Sequence, residues 1–162
     1  MDSLMNGQIE IKRRHLPHWE LKGSTYFVTF KIYKILLSHD EIKFVLEHLK
    51  SGNGKFYKLI AAVVLPDHVH LVIMPHKEYS LSRILKGIKG VAARQINLRR
   101  GVKGSVWQAE SFDRIIRSQS DFEEKLNYMW NNPIKLGLAN EPQKYAGWYF
   151  DEKYEEYVRR KA

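Results

Sequence analysis

Residues 59–65, LIAAVVL, are apolar at every position, and residues 68–74, HVHLVIM, follow after a single Pro66-Asp67 pair. A run with no polar member suits a strand covered on both faces, so it belongs at the centre of a sheet. Pro66 and Asp67 form a tight turn, and the chain comes back as a second strand beside the first before Pro75 stops it. On that second strand alternate side chains share a face, so His68, His70, Val72 and Met74 point one way and Val69, Leu71 and Ile73 the other. The aliphatic set packs beneath helices. The two imidazoles then stand together on the opposite face, about 7 Å apart at their Cα atoms. Two ring nitrogens at that spacing can converge on one cation, although an isolated His-x-His also suits a solvated strand.

The remaining elements build around this hairpin. Residues 1–23 read as an arm with a basic start, Arg13-Arg14, and an apolar clasp at Leu16, Pro17 and Trp19. Tyr26, Val28, Phe30 and Ile32 alternate with polar partners and predict a strand over 24–33. Ser38 with Glu41 three residues on predicts a capped helix to Lys50, closed by Ser51-Gly52-Asn53-Gly54. A second helix runs from Ser80 towards Arg100 with Leu81, Ile84, Leu85, Ile88, Val91, Ala92 and Ile96 inward. Gly87 and Gly90 weaken it by roughly 1 kcal/mol each, a cost that fits close approach to the sheet or to a ligand. Residues 106–117 predict a further strand. A third helix over 120–132, capped by Ser120 with Glu123, ends at Pro133. Residues 140–162 read as an aromatic-rich tail. The order is that of a single α+β domain spanning 1–162: a ferredoxin-like or RRM-like antiparallel sheet covered by helices on one face.

Charge bears on the partner. Twenty-seven Lys and Arg against eighteen Asp and Glu leave +9. Such an excess favours a polyanion, nucleic acid before an acidic membrane. No acid lies between Glu78 and Glu110, where Arg83, Lys86, Lys89, Arg94, Arg99, Arg100 and Lys103 all fall. A solvated helix face is the plainer explanation, but solvated faces normally mix both signs. Arg13, Arg14, Arg83, Lys86, Lys89, Arg94, Arg99 and Arg100 are therefore the candidate phosphate contacts, while Arg114 and Arg117 divide evenly between groove and solvent. Trp107, Tyr145, Trp148 and Tyr149 can stack on splayed bases or pack in the core. Cysteine is absent, which excludes disulfides and thiolate chemistry. Residues 1–12 contain acids and no apolar core, and no segment is long and apolar enough to span a bilayer, so the expectation is a cytoplasmic protein without a membrane partner.

The third helix supplies a nucleophile. At about 100° per residue, Phe122, Leu126, Met129 and Trp130 share one arc, and Tyr128 sits roughly 145° from its centre. Asn132, one turn later, shares the face of Tyr128. A tyrosine at the rim of a core is common, yet this one leaves the stripe of its neighbours. A phenolate is a competent nucleophile for a phosphodiester once a base or cation favours deprotonation. A divalent ion held by His68, His70 and Asn132, Mg²⁺ or Mn²⁺, polarises the phosphate and leaves positions open for substrate. The product is a covalent phosphotyrosine, from which strands can be rejoined without ATP.

LPDHVHLVIMP at 65–75 resembles the histidine–hydrophobic–histidine hallmark of HUH endonucleases. YMWNNPIKLGLA at 128–139 is similar to the catalytic-tyrosine helix of their single-tyrosine transposase branch, and WQAESFDRIIR at 107–117 with RRHLPHW and TYFVTF at 13–30 resembles two further blocks. The likeness covers almost the whole chain and is strongest to the REP-associated tyrosine transposases. It implies metal ligands His68, His70 and Asn132, nucleophile Tyr128 on a catalytic helix near the C-terminus, a 5′-phosphotyrosine with a free 3′-OH, and single-stranded DNA folded as a hairpin beside the cut. It leaves monomer and homodimer both open. Asp67 stands where Asn is usual and reads as a change in the turn. Asn132 stands where insertion-sequence relatives often carry Gln, one methylene longer. Two other readings fit parts of the chain. A non-catalytic RRM-like nucleic-acid-binding module accounts for the charge and layout, and a metal-dependent hydrolase of small phosphoesters accounts for the two histidines.

Overall fold

The computed structural model describes residues 24–161. Strand β1 (Thr25–Ile32) leads to helix α1 (His39–Ser51), the hairpin β2 (Tyr57–Val64) and β3 (His68–Pro75), helix α2 (Leu81–Arg100), strand β4 (Trp107–Ile116) and helix α3 (Gln119–Lys135). A short 3₁₀ turn (Pro142–Lys144), strand β5 (Trp148–Phe150) and helix α4 (Glu152–Lys161) follow. The five strands form one antiparallel sheet in the order β4-β1-β3-β2-β5. Its first six elements, βαββαβ with strand order 4-1-3-2, have the ferredoxin-like layout expected from the sequence.

Local chemistry sets the boundaries. The Ser38 hydroxyl accepts the Glu41 N–H at 3.2 Å and the Glu41 carboxylate accepts the Ser38 N–H at 2.9 Å, a complete capping box for α1. Ser80 caps α2 through the Arg83 N–H, and Gly101 ends it in the left-handed region at φ 68°. Helix α3 departs from expectation at both ends. Its cap is Ser118, which accepts the Asp121 N–H at 3.1 Å, and not Ser120. Pro133 lies inside the helix and forgoes the bond its own N–H would have made; beyond it Leu136 N–H still reaches Asn132 O, and Gly137, at φ 71°, stops the chain.

Two cores lie on the two faces of the sheet. Val28, Phe30, Leu59, Val69, Leu71 and Ile73 pack against the apolar stripes of α1 and α2. Ile60, Ala61, Val63, Val72 and Phe150 pack against Phe122, Leu126, Met129 and Trp130 of α3 and Tyr154 and Val158 of α4. Coverage by helices on one face is therefore corrected to coverage on both. The reason is the run that opened the sequence: β2 is apolar on both sides, and α1 with α2 cover only one. The tail expected at 140–162 supplies the edge strand β5 and helix α4. Trp148 and Phe150 stack at 4.9 Å between ring centroids, and the Tyr145 hydroxyl donates to Val64 O at 2.6 Å. These tail aromatics are packing residues, as is Trp107, which is buried and donates its indole N–H to Lys89 O. Tyr149 is half-buried beneath the Lys50 ammonium, 5.6 Å from its ring.

Candidate active site

His68 and His70 leave β3 on the face away from α1 and α2, and their Nε2 atoms stand 3.0 Å apart. That is the separation of two neighbouring ligands about 2.1 Å from one octahedral cation. Each ring is held from behind. Asp67 Oδ1 lies 2.6 Å from His68 Nδ1, and Thr29 Oγ1, directly across from His70 on β1, lies 2.8 Å from His70 Nδ1. In the tautomers where both Nδ1–H groups donate, both Nε2 lone pairs face the shared space. Burial, reinforced by the neighbouring His68 and opposed by Asp67, pushes the His70 imidazole down to about 3. His70 is thus in the neutral form a metal requires.

Helix α3 lies across β2 and β3 and brings its free edge to this pair. Tyr128 is 44 % exposed, outside the stripe of Phe122, Leu126 and Met129, and its hydroxyl is 3.5 Å from His70 Nε2. Phe27 stacks on His70 with ring centroids 5.4 Å apart and meets Tyr128 edge-on at 6.5 Å, so one aromatic ring orients both groups. Phe27, His70, Tyr128, Lys125 and Glu124 line a cavity of about 280 Å³. One turn beyond Tyr128, Asn132 is buried, and its Oδ1 has no hydrogen-bond partner among the described residues. A buried carbonyl oxygen without a donor suits a cation ligand. Two imidazoles and an amide oxygen therefore fit a divalent ion.

The structure adds Thr29, Asp67 and Phe27 to the residues read from the sequence. Asp67 does more than alter a turn, because it orients His68. Its adjacency to His68 was a usable signal; Thr29 and Phe27 depend on strand register, which the sequence does not display.

The candidate phosphate contacts divide. Arg13 and Arg14 lie outside the described residues. Arg83, Lys86, Lys89, Arg94, Arg99 and Arg100 all sit on α2, which packs on the sheet face opposite His68 and His70. Arg83, Lys86, Arg94 and Arg99 are exposed, with Arg83 over the Tyr79 ring and Arg99 over the Phe44 ring. Gly87 and Gly90 face open space among them, so they ease no approach to the sheet. Lys89 is turned inward onto Gln108 O and Ser111 Oγ. Arg100 forms a two-pronged ion pair with Glu41 at 2.8 Å and also reaches Leu36 O. The last two serve the fold, and the phosphate surface is reduced accordingly.

Fold and site together define an α+β protein with a ferredoxin-like core and a tyrosine presented to a histidine pair. The model of the family described as transposase IS200 like matches residues 26–130, and the chain belongs to that family of DNA transposition enzymes. A curated relative, the REP-associated tyrosine transposase of Escherichia coli (strain K12), is 26% identical over 128 residues, covering 75% of this chain and 73% of its own. A solved structure of a REP-associated tyrosine transposase bound to a REP hairpin superposes with a TM-score of 0.55 at 23% identity, covering 86% of this chain and 82% of that one.

Proposed function

We propose that this protein is a metal-dependent endonuclease and strand transferase acting on single-stranded DNA beside a hairpin, with Tyr128 as its nucleophile. The observation that carries the reading is the Tyr128 hydroxyl, half-exposed and 3.5 Å from His70 Nε2, whose own neighbour is the His68 imidazole, with the unpartnered Asn132 oxygen one helical turn further along α3. His68, His70 and Asn132 hold the divalent ion, Mg²⁺ or Mn²⁺; when bound it supplies Lewis-acid polarisation of a phosphate oxygen. Thr29 and Asp67 fix the imidazole rings, and Phe27 fixes the approach of the phenol. The phenol oxygen of Tyr128 bonds to phosphorus, giving up its proton to water. The bond from phosphorus to the 3′ oxygen breaks, and that oxygen takes up a proton and leaves as a 3′-OH. Attack by a 3′-OH on the 5′-phosphotyrosine runs the step backwards and rejoins a strand without ATP. The hairpin-bound relative, named above, supports hairpin DNA as the substrate here.

The test is a covalent adduct. Incubation with hairpin-flanked single-stranded DNA and Mn²⁺ is expected to give a protein–DNA species that survives a denaturing gel. Tyr128→Phe and the His68→Ala/His70→Ala double variant are expected to abolish it while still binding the DNA. Binding by the unaltered protein with no adduct on any hairpin tried would reduce the protein to a nucleic-acid-binding module.

A further inference from the structure

Phe112 is 79 % exposed, more than any other large hydrophobic residue described. It sits mid-strand on β4, an edge of the sheet, where an exposed aromatic invites aggregation unless something else uses it. Its place in the register is specific. Thr29 pairs with His70 on one side and with Phe112 on the other, so the three side chains stand in one row on one face. Two inter-strand steps put the Phe112 Cα about 10 Å from that of His70. Helix α3 packs on β2 and β3 and, among the described residues, leaves Phe112 exposed. Its neighbours carry both signs: Lys31, exposed, pairs with His68 in the register, Arg114, 59% exposed at its side chain, pairs with Phe27 and reaches Asp121 of α3 at 3.7 Å, and Glu110, exposed, lies two residues before Phe112 on the same face.

We propose that this open face of β1 and β4 is a landing platform for single-stranded DNA, on which Phe112 stacks the unpaired base of a nucleotide next to the scissile phosphate. The inference rests on the proposed function for the location of that phosphate. An exposed aromatic with Lys31 and Arg114 within reach has the chemistry that unpaired bases and their phosphates recognise. The row from Phe112 through Thr29 to His70 leads a strand held there into the cavity beside Tyr128. Lys31 and Arg114 lie where its phosphates pass.

The experiment is a binding measurement in the Tyr128→Phe background, which separates it from turnover. The probes are a labelled DNA hairpin carrying a single-stranded thymidine extension and the same hairpin without it. The extension is expected to tighten binding, Phe112→Ala to remove about tenfold of affinity for the extended hairpin and none for the blunt one, and Phe112→Trp to restore it. An abasic spacer at one position of the extension should weaken binding to the parent and add nothing to the loss in Phe112→Ala. Equal affinity for both probes in the parent, or an equal loss on both in Phe112→Ala, overturns the platform. So does an alanine variant that changes the sedimentation of the free protein while leaving DNA affinity intact, since Phe112 would then be a contact between copies. If the extension-specific loss is found and the unaltered protein forms no adduct, the platform stands and the nuclease assignment falls.

Discussion

Asn132 carries a cost that a bound group can offset. Its amide oxygen is buried with no donor among the described residues, and a buried polar atom left unpaired costs roughly 1–3 kcal/mol. Such a residue persists where function uses it. Replacing it by a near-isosteric apolar side chain, Asn132→Leu, is expected to raise the stability of the metal-free protein by about 1 kcal/mol and to abolish the rise in melting temperature that Mn²⁺ gives the parent. Thermal melts with and without Mn²⁺ check both; a variant that melts lower and keeps its Mn²⁺ shift removes Asn132 from the ligand set. At this scale the sequence was informative where one element suffices. Tyr128 leaves its stripe by helical geometry alone, and the two histidines share a face by strand geometry alone. Thr29 was illegible because its role exists only once β1 lies beside β3 in a particular register.

Between elements, the Glu41–Arg100 pair ties the start of α1 to the end of α2. Both side chains are largely buried, and the Arg100 guanidinium holds the Glu41 carboxyl below its usual range, against the opposing effect of burial. The sign follows from the depressed value. The stabilisation is fully present above the unfolded pKa near 4.5 and is lost as pH falls through the lower folded one. Glu41→Gln is expected to cost about 2–4 kcal/mol near neutrality, because it strands a buried guanidinium. It should also flatten the acid limb of the stability profile, with denaturant melts between neutral and acidic pH as the measurement. An acid limb identical to the parent's would mean that the pair contributes nothing. Arg100 looked like a phosphate contact because it ends an acid-free stretch of chain. Its acid partner is 59 residues away in sequence, and charge counting along the chain is blind to that separation. The second helical layer was missed for a related reason: residues 140–162 lack the long periodicity of a sheet or helix, and only the doubly apolar β2 hinted that another cover was needed.

At the scale of the whole molecule, the candidate site and the basic helix lie on opposite sides of the sheet. The sheet face beneath α3 carries the histidines with Tyr128 presented from α3, and α2 on the reverse carries Arg83, Lys86, Arg94 and Arg99 into solvent. Net charge of +9 attracts DNA from any direction, but counterion release distinguishes contact from attraction. Each neutralised phosphate of duplex steepens the dependence of log K on log salt by about 0.9, and each of single strand by about 0.7. If the stem of a hairpin lies along α2 while its single-stranded flank crosses the opposite face, then Arg83→Gln/Lys86→Gln/Arg94→Gln should reduce the slope for a blunt hairpin by about two to three. Adduct yield at saturating DNA should stay at the parental level, because none of the three approaches Tyr128. Phe112→Ala should do the converse, weakening the extended probe with little change of slope, since stacking releases few ions. Anisotropy titrations over a range of salt concentrations read both. A triple variant with the parental slope makes the α2 face merely solvated, and requires the stem to be held elsewhere.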